Sequence, residues 1–406
     1  MLRLVQIRAL FTAQLVSTTG TQMTFLALPW FVLVTTGSAA RMGAVLAAEL
    51  IPIGLFGIPS GTLVSRLGSR RTMLLCDAVR APLVAAIPVL HWTGGLSFPA
   101  LLALVFCVGA FNAPYGSARS TLLPELLGED EGAVAQASSL FEGGRTATSI
   151  LGPVLGGLLI GALGPASVLL VDGVSYLVAF ALVGVFVAAP VSSVEPQEDA
   201  RGLLAGLRFL SRDRLLGPVA LVAIGLNLTA SALFSSLPVL VYLRYDANPH
   251  TAGWFFAAFG IGSVAGSVVA YRLVQRLPLL KVAGTAMFLS ALPLWLLAAH
   301  LPWLGVAAVL AVFGLFLPFV NAPMMGVITV RTPVALRPKV LTALFTVVTL
   351  ANPIGLAAAG PALQAYGPRA TYLVIAGGFA VTALVYTTVV LRHRDVPELA
   401  APMLAD

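Results

Sequence analysis

Twelve apolar runs, each long enough to cross a bilayer, follow one another along this chain with almost no charge inside them. They fall at 11–34, 42–64, 73–91, 98–118, 138–162 and 166–189, then at 215–242, 252–271, 282–300, 303–327, 340–363 and 370–391. A spanning helix needs about 20 apolar residues. Backbone groups in lipid must pair within the chain, which leaves helices or a closed barrel. The two-residue alternation of barrel strands is missing from these runs, so they are expected to be helices. The first, studded with Thr and Gln, reads as a retained span and not as a cleavable leader.

Composition agrees. Charged residues make up 10% of the chain and hydrophobic ones 59%, whereas a soluble domain carries about 25% charge. That excludes a disordered chain, a nucleic-acid-binding domain and an ordinary soluble enzyme. The net charge of +7 needs no polyanion to explain it, because cytoplasmic loops collect Lys and Arg. With the N-terminus inside, 18 of the 23 basic residues fall on inner segments, and only Arg41, Arg244 and Arg369 on outer loops. Both termini are therefore expected in the cytoplasm, in a multi-pass protein of the plasma membrane. Cys76 and Cys107 lie in apolar runs without a CxxC pattern, and small-hydrophobe packing is expected of them.

The longest polar connection is 190–214. Leu203, Leu204, Leu207 and Leu210 recur at helical spacing there, among Arg201, Arg208, Arg212 and Arg214. This predicts an amphipathic helix on the inner membrane surface. The chain thus divides into a six-helix bundle over 1–189, a cytoplasmic linker over 190–214, a second bundle over 215–392 and a cytoplasmic tail over 393–406. The halves look duplicated. Asn112-Ala113-Pro114 recurs as Asn321-Ala322-Pro323, and Gly164-Pro165 as Gly367-Pro368.

Between the second and third runs stands Gly61-Thr62-Leu63-Val64-Ser65-Arg66-Leu67-Gly68-Ser69-Arg70-Arg71. It resembles the G-x-L-x-D-R-x-G-x-R-R signature of the major facilitator superfamily, with Ser65 at the acidic position. Gly61 and Gly68 suit a tight turn and close helix approach. Arg66, Arg70 and Arg71 are donors for carboxylates or helix C-termini. The resemblance implies an inner gate that latches two halves shut, completed by Asp77 and Arg80 and with Arg145 among its residues; the plainer reading is a basic inner hairpin. In the fifth run, Gly152-Pro153-Val154-Leu155-Gly156-Gly157 resembles the G-P-x-x-G-G element of that superfamily's exporters, and its glycines form a small face for helix packing. The stretches 118–126, 135–140 and Asp172-Gly173-Val174-Ser175-Tyr176 resemble the proton-driven drug, macrolide and siderophore exporters. The mid-helix Arg that many such antiporters carry in the fourth span is absent from 101–118.

Four acids lie in or at the edges of apolar runs: Glu49, Asp77, Glu142 and Asp172. An ionisable group at that depth is a functional candidate by default, and all four are candidates for proton coupling. Glu142 and Arg145 share a helix face as an ion pair. A substrate cavity is expected from Gln14, Thr18, Thr21, Gln22 and Phe25 on one stripe of the first run, with Asn227 and Ser231 in the seventh and the single amides Asn112, Asn321 and Asn352. Interhelical hydrogen bonding or back-bonding accounts for any one of them as well. No GxxxxGK[ST] loop is present and the four histidines have no ligand spacing, so neither cofactor nor metal is expected and the proton gradient is the energy source.

The fold class implied is all-α, with twelve transmembrane helices in two pseudo-symmetric bundles that rock around a midplane cavity. The function implied is export of amphipathic or hydrophobic small molecules by proton antiport, by a monomer in the lipid bilayer that binds no nucleic acid. A solute importer or facilitator of the same fold is the alternative, and an intramembrane enzyme or sensor a more remote one.

Overall fold

The computed structural model describes residues 2–127, 131–188, 200–213, 215–273, 279–333 and 336–392. The connection over 190–199 and the tail over 393–406 lie outside them. Every regular element among these residues is a helix: α1 (Leu2–Thr36), α2 (Ala39–Leu67), α3 (Ser69–Trp92), α4 (Phe98–Ala110), α5 (Asn112–Leu127), α6 (Glu131–Leu163), α7 (Pro165–Phe186), α8 (Ala200–Arg212), α9 (Leu216–Arg244), α10 (Pro249–Leu273), α11 (Leu279–Leu294), α12 (Trp303–Arg331) and α13 (Arg337–Arg392), with a 3-10 turn at Trp295–Ala298.

Ten of the helical stretches are long and apolar enough to cross a membrane, α4 and α5 acting as one over Phe98–Leu127. α1 is not among the ten, because its Thr and Gln residues dilute its hydropathy. With α1 added and α13 divided at its bend, the helices carry the twelve apolar runs.

Three helix junctions use one backbone device. Gly68, Gly164 and Gly367 have φ of +82°, +80° and +76°, with ψ near the extended value at each. Only glycine enters that region without strain. Gly68 separates α2 from α3, and Gly164 separates α6 from α7. Gly367 bends α13 where the repeated Gly-Pro pair predicts a junction. Gly61 stands inside α2, so the turn rests on Gly68 alone.

The chain groups into two units, residues 1–199 with 247–253, and residues 200–246 with 254–406. In the first, α1 packs on α6 and α7, α3 on α7, and α2 on α4. Glycines bring these backbones together. A Cβ at Gly109 would overlap the carbonyl of Glu49, one at Gly152 the side chain of Gln22, and one at Gly20 the Ser175 and Asp172 side chains. At one end, Leu10, Met73, Leu122, Phe141 and Val183 form the apolar core.

In the second unit, α9 packs on the long α13, and α11 on α12 and α13. The amphipathic helix α8 belongs here. Gly206 lies against the backbone of Lys339 and against Ala343, and Leu210 is buried. Part of the apolar face expected to meet the membrane surface is thus taken up by α13. Asp213 follows α8 and caps α9. Its Oδ1 accepts from the amides of Leu215 and Leu216 at 2.8 and 2.9 Å, and its Oδ2 from Arg331 Nε at 3.1 Å. Partial burial works to raise the Asp213 carboxyl. The amides of Leu216 and Leu215 and the Arg331 guanidinium outweigh it, holding the carboxyl below its ordinary value.

Candidate functional site

Inside the first unit, α2, α3 and α7 bring four of the predicted ionisable residues, Glu49, Asp77, Arg80 and Asp172, into one neighbourhood beside Asn112 of α5. On α3, Asp77 and Arg80 are one helical turn apart, and Arg80 Nη2 donates to Asp77 Oδ1 at 2.6 Å. Both are buried. Arg80 Nη1 donates to Asn112 Oδ1 at 3.2 Å, at the first residue of α5. The guanidinium lies 4.3 Å from the ring centroids of both Tyr115 and Tyr176. The two rings fix the side chain and partly replace the hydration it gives up.

On α7, Asp172 is fully buried. Its Oδ2 accepts from Thr24 Oγ1 of α1 at 2.7 Å, and its Oδ1 lies 3.2 Å from Ser175 Oγ. One turn on, the Tyr176 hydroxyl meets Thr21 Oγ1 at 2.9 Å. Between these groups is a cavity of about 20 Å3, walled by Glu49, Asn112, Asp172, Tyr176, Thr21 and Thr24 with apolar residues around them. That volume holds about one water molecule, and the walls offer it polar partners. Glu49 and Asp172 therefore face one small polar space. Asp77, in contrast, is held by Arg80.

The remaining candidates lie elsewhere. Glu142 accepts from Arg145 Nε through both carboxylate oxygens at 3.0 Å. This is the i,i+3 pair expected, and both side chains are exposed. Arg80, expected in the inner latch, is instead buried in the polar cluster. Arg70 Nη2 donates to the Gly184 carbonyl in the last turn of α7 at 2.7 Å. It thus serves as a donor to a helix C-terminus. Ser65 bonds back to Thr62 O at 2.9 Å, and Arg66 and Arg71 are exposed. Ser69, after the turn, donates to Glu125 of α5.

Of the expected cavity residues, Gln14 is buried and its amide donates to Phe141 O on α6 at 3.3 Å. That makes it an interhelical tie, which corrects its placement on a cavity surface. Gln22 backs onto Gly152, and Gly156 onto Met23. Pro153 lies inside an unbroken α6. Gly157 lies against Pro249 and Gly253, which group with the same unit. Thr18 is half-buried and Phe25 exposed. Asn227 and Ser231 donate to Ala223 O and Leu228 O of their own helix, at 3.0 Å each. Asn321 is exposed and Asn352 half-buried.

Thr24 and Tyr115 are site residues that sequence reasoning does not single out, and Ser175 and Tyr176 enter it only as part of the exporter-like stretch after Asp172. Asp172, Ser175 and Tyr176 are spaced i, i+3 and i+4, and that spacing is the available signal.

The second unit handles the corresponding place differently. Phe234, Phe259, Phe313 and Phe379 form a continuous chain of rings with centroids 4.7, 5.9 and 5.1 Å apart. In the register of the Gly-Pro repeat, Phe379 corresponds to Tyr176. In the register of Asn112 and Asn321, Leu289 stands for Arg80 and Ala286 for Asp77.

Helices of this length and apolarity, carrying a buried ionic cluster, define a polytopic membrane protein. The chain belongs to the transmembrane secretion effector family of the major facilitator superfamily, which it matches over residues 2–403. It is 31% identical over 384 residues to the multidrug efflux pump Tap of Mycolicibacterium fortuitum, covering 89% of this chain and 90% of that one. It is 26% identical over 313 residues to the enterobactin exporter EntS of Escherichia coli O1:K1 / APEC, covering 71% of each. Its fold is similar to the crystal structure of the nucleoside transporter NupG, with a TM-score of 0.76 at 14% identity, over 96% of this chain and 98% of that one.

Proposed function

We propose that the protein is a secondary active transporter that exports amphipathic or hydrophobic small molecules by proton antiport. Glu49 and Asp172 carry the proton. One observation bears most of the weight: these two carboxylates border a cavity of about one water molecule. Asp77 and Glu142, by contrast, are committed to arginines one turn away. An acid without a cation of its own takes up and releases a proton without breaking an ion pair. Burying an unpaired charge in apolar surroundings is costly, so loss of that proton is coupled to a change in the helices around it.

The naming of two relatives as exporters supports the outward direction. Alternating access of two six-helix halves follows the superfamily's general scheme. The excess of Lys and Arg on alternate loops supports cytoplasmic termini in the plasma membrane. The Glu49–Asp172 site is complete within one chain, which supports a monomer as the working unit. On this reading the chain is a transporter and not an enzyme, takes its energy from the proton gradient and needs no cofactor.

The test is a proteoliposome assay with a proton gradient imposed in either direction and a panel of amphipathic dyes and drugs. Glu49→Gln and Asp172→Asn, singly and combined, are expected to lose gradient-driven transport. If the double variant still exports against a concentration gradient, and an uncoupler still stops it, the assignment is wrong.

A further inference from the structure

At the end of the second unit where α9 finishes, two arginines far apart in sequence face one open hollow of about 520 Å3. Arg244 comes from the last turn of α9. Arg369 stands in the first turn of the helical segment that follows Gly367. Trp295, His300 and Leu373 are also in the wall, and no carboxylate lines it among the described residues. Arg244 Nη1 donates to the Ala299 carbonyl at 3.3 Å, which leaves its other donors for a ligand. A cation in a helix's first turn, as Arg369 is, is disfavoured by the helix dipole unless an anion is near. Arg244 and Arg369 are also two of only three basic residues assigned to outer loops. Trp295 and Leu373 are 42% and 39% exposed, so the same hollow offers an apolar wall of the kind found at a membrane interface.

We infer that this hollow binds the phosphate headgroup of an anionic membrane phospholipid. Guanidinium groups from two segments take the phosphate oxygens in the geometry arginine favours. Trp295 and Leu373 lie along the apolar part of the lipid. Inorganic phosphate offers the same oxygens, but it has nothing to cover the two exposed apolar side chains, and for that reason the lipid is the occupant. This inference does not depend on the proton-coupling assignment.

The full-length protein in detergent, titrated with phosphatidylglycerol or phosphatidylcholine and read by native mass spectrometry, tests it. Phosphatidylglycerol is expected to be retained preferentially. Arg244→Gln and Arg369→Gln are each expected to lower its retention about fivefold, leaving phosphatidylcholine unchanged. Equal retention of phosphatidylglycerol by the folded double variant would overturn the inference. So would its full displacement by inorganic phosphate at equal concentration. Should the double variant not fold, brominated phosphatidylglycerol decides the matter with wild-type protein. It is expected to quench a component of tryptophan emission that Trp295→Phe lacks, and failure to quench that component overturns the site.

Discussion

Arg80 Nη2 and Asp77 Oδ1 meet at 2.6 Å where neither side chain reaches solvent. A buried pair of this kind is weak evidence for stability as a pair, yet losing one member leaves the other charge unbalanced. Arg80→Gln or Asp77→Asn alone is therefore expected to destabilise the first unit by about 3–5 kcal/mol. The double variant should be much less destabilised than the sum of the two. Thermal melting of the purified variants in detergent reads both, and strict additivity would show that the pair is not coupled. Arg80→Lys is expected to behave as a loss, because an ammonium cannot lie flat against Tyr115 and Tyr176 while reaching Asn112.

The two glycines of the α2–α3 hairpin motif should respond differently. Gly68 holds a backbone conformation that side chains avoid, so Gly68→Ala is expected to cost about 1–3 kcal/mol. Gly61 is helical, and Gly61→Ala there gains helix propensity. Melting temperatures of the two variants should move in opposite directions; equal losses would refute the separation of roles.

Asp213 gives a sign for pH. Its carboxyl is held below the ordinary value, so the folded state gains from its ionisation above the unfolded value. That contribution is present at neutral pH and fades as pH falls through the folded value. Asp213→Ala removes the α9 cap and is expected to cost about 1 kcal/mol at pH 7. The gap from wild type should narrow on acidification below about pH 4. Melting curves across pH check this, and a gap that widens in acid contradicts it.

Gly20 bears directly on the pocket proposed to carry the proton. Its backbone touches Asp172 and Ser175, and a methyl group there would overlap both side chains. Gly20→Ala is expected to push α1 from α7, with an overpacking cost of about 1–3 kcal/mol. Transport should fall with it, because Thr24 on α1 then loses its 2.7 Å contact with Asp172. Unchanged transport and stability would show that α1 gives way there without effect.

The helices are legible in the sequence because lipid leaves a backbone few options, and the breaks at Gly68 and Gly164 fall where glycine meets turn-forming neighbours. Gly367 is readable as the repeat of Gly164. The cluster is half legible. Glu49, Asp77, Asn112 and Asp172 stand out as polar residues in apolar runs, whereas Arg80 reads as part of the inner latch. Nothing in its neighbourhood says that a long side chain one turn beyond Asp77 points inward to Asn112 and two rings; only tertiary packing decides that. Gln14 illustrates the converse. An amide on a polar stripe and an amide tying two helices look alike until the facing helix, here α6, is placed. The roles of Asp213 and Glu125 are silent in the sequence because their partners, Arg331 and Ser69, lie more than fifty residues away.

The contrast between a charged interior in the first unit and a chain of phenylalanine rings in the second has a consequence for recombinant chimeras. A protein assembled from two copies of the leading half would possess two sets of buried acids, and on the proposed antiport reading it would respond to a gradient with a changed stoichiometry. One assembled from two trailing halves would lack the Glu49 and Asp172 carboxylates, to which the proposed function assigns the proton.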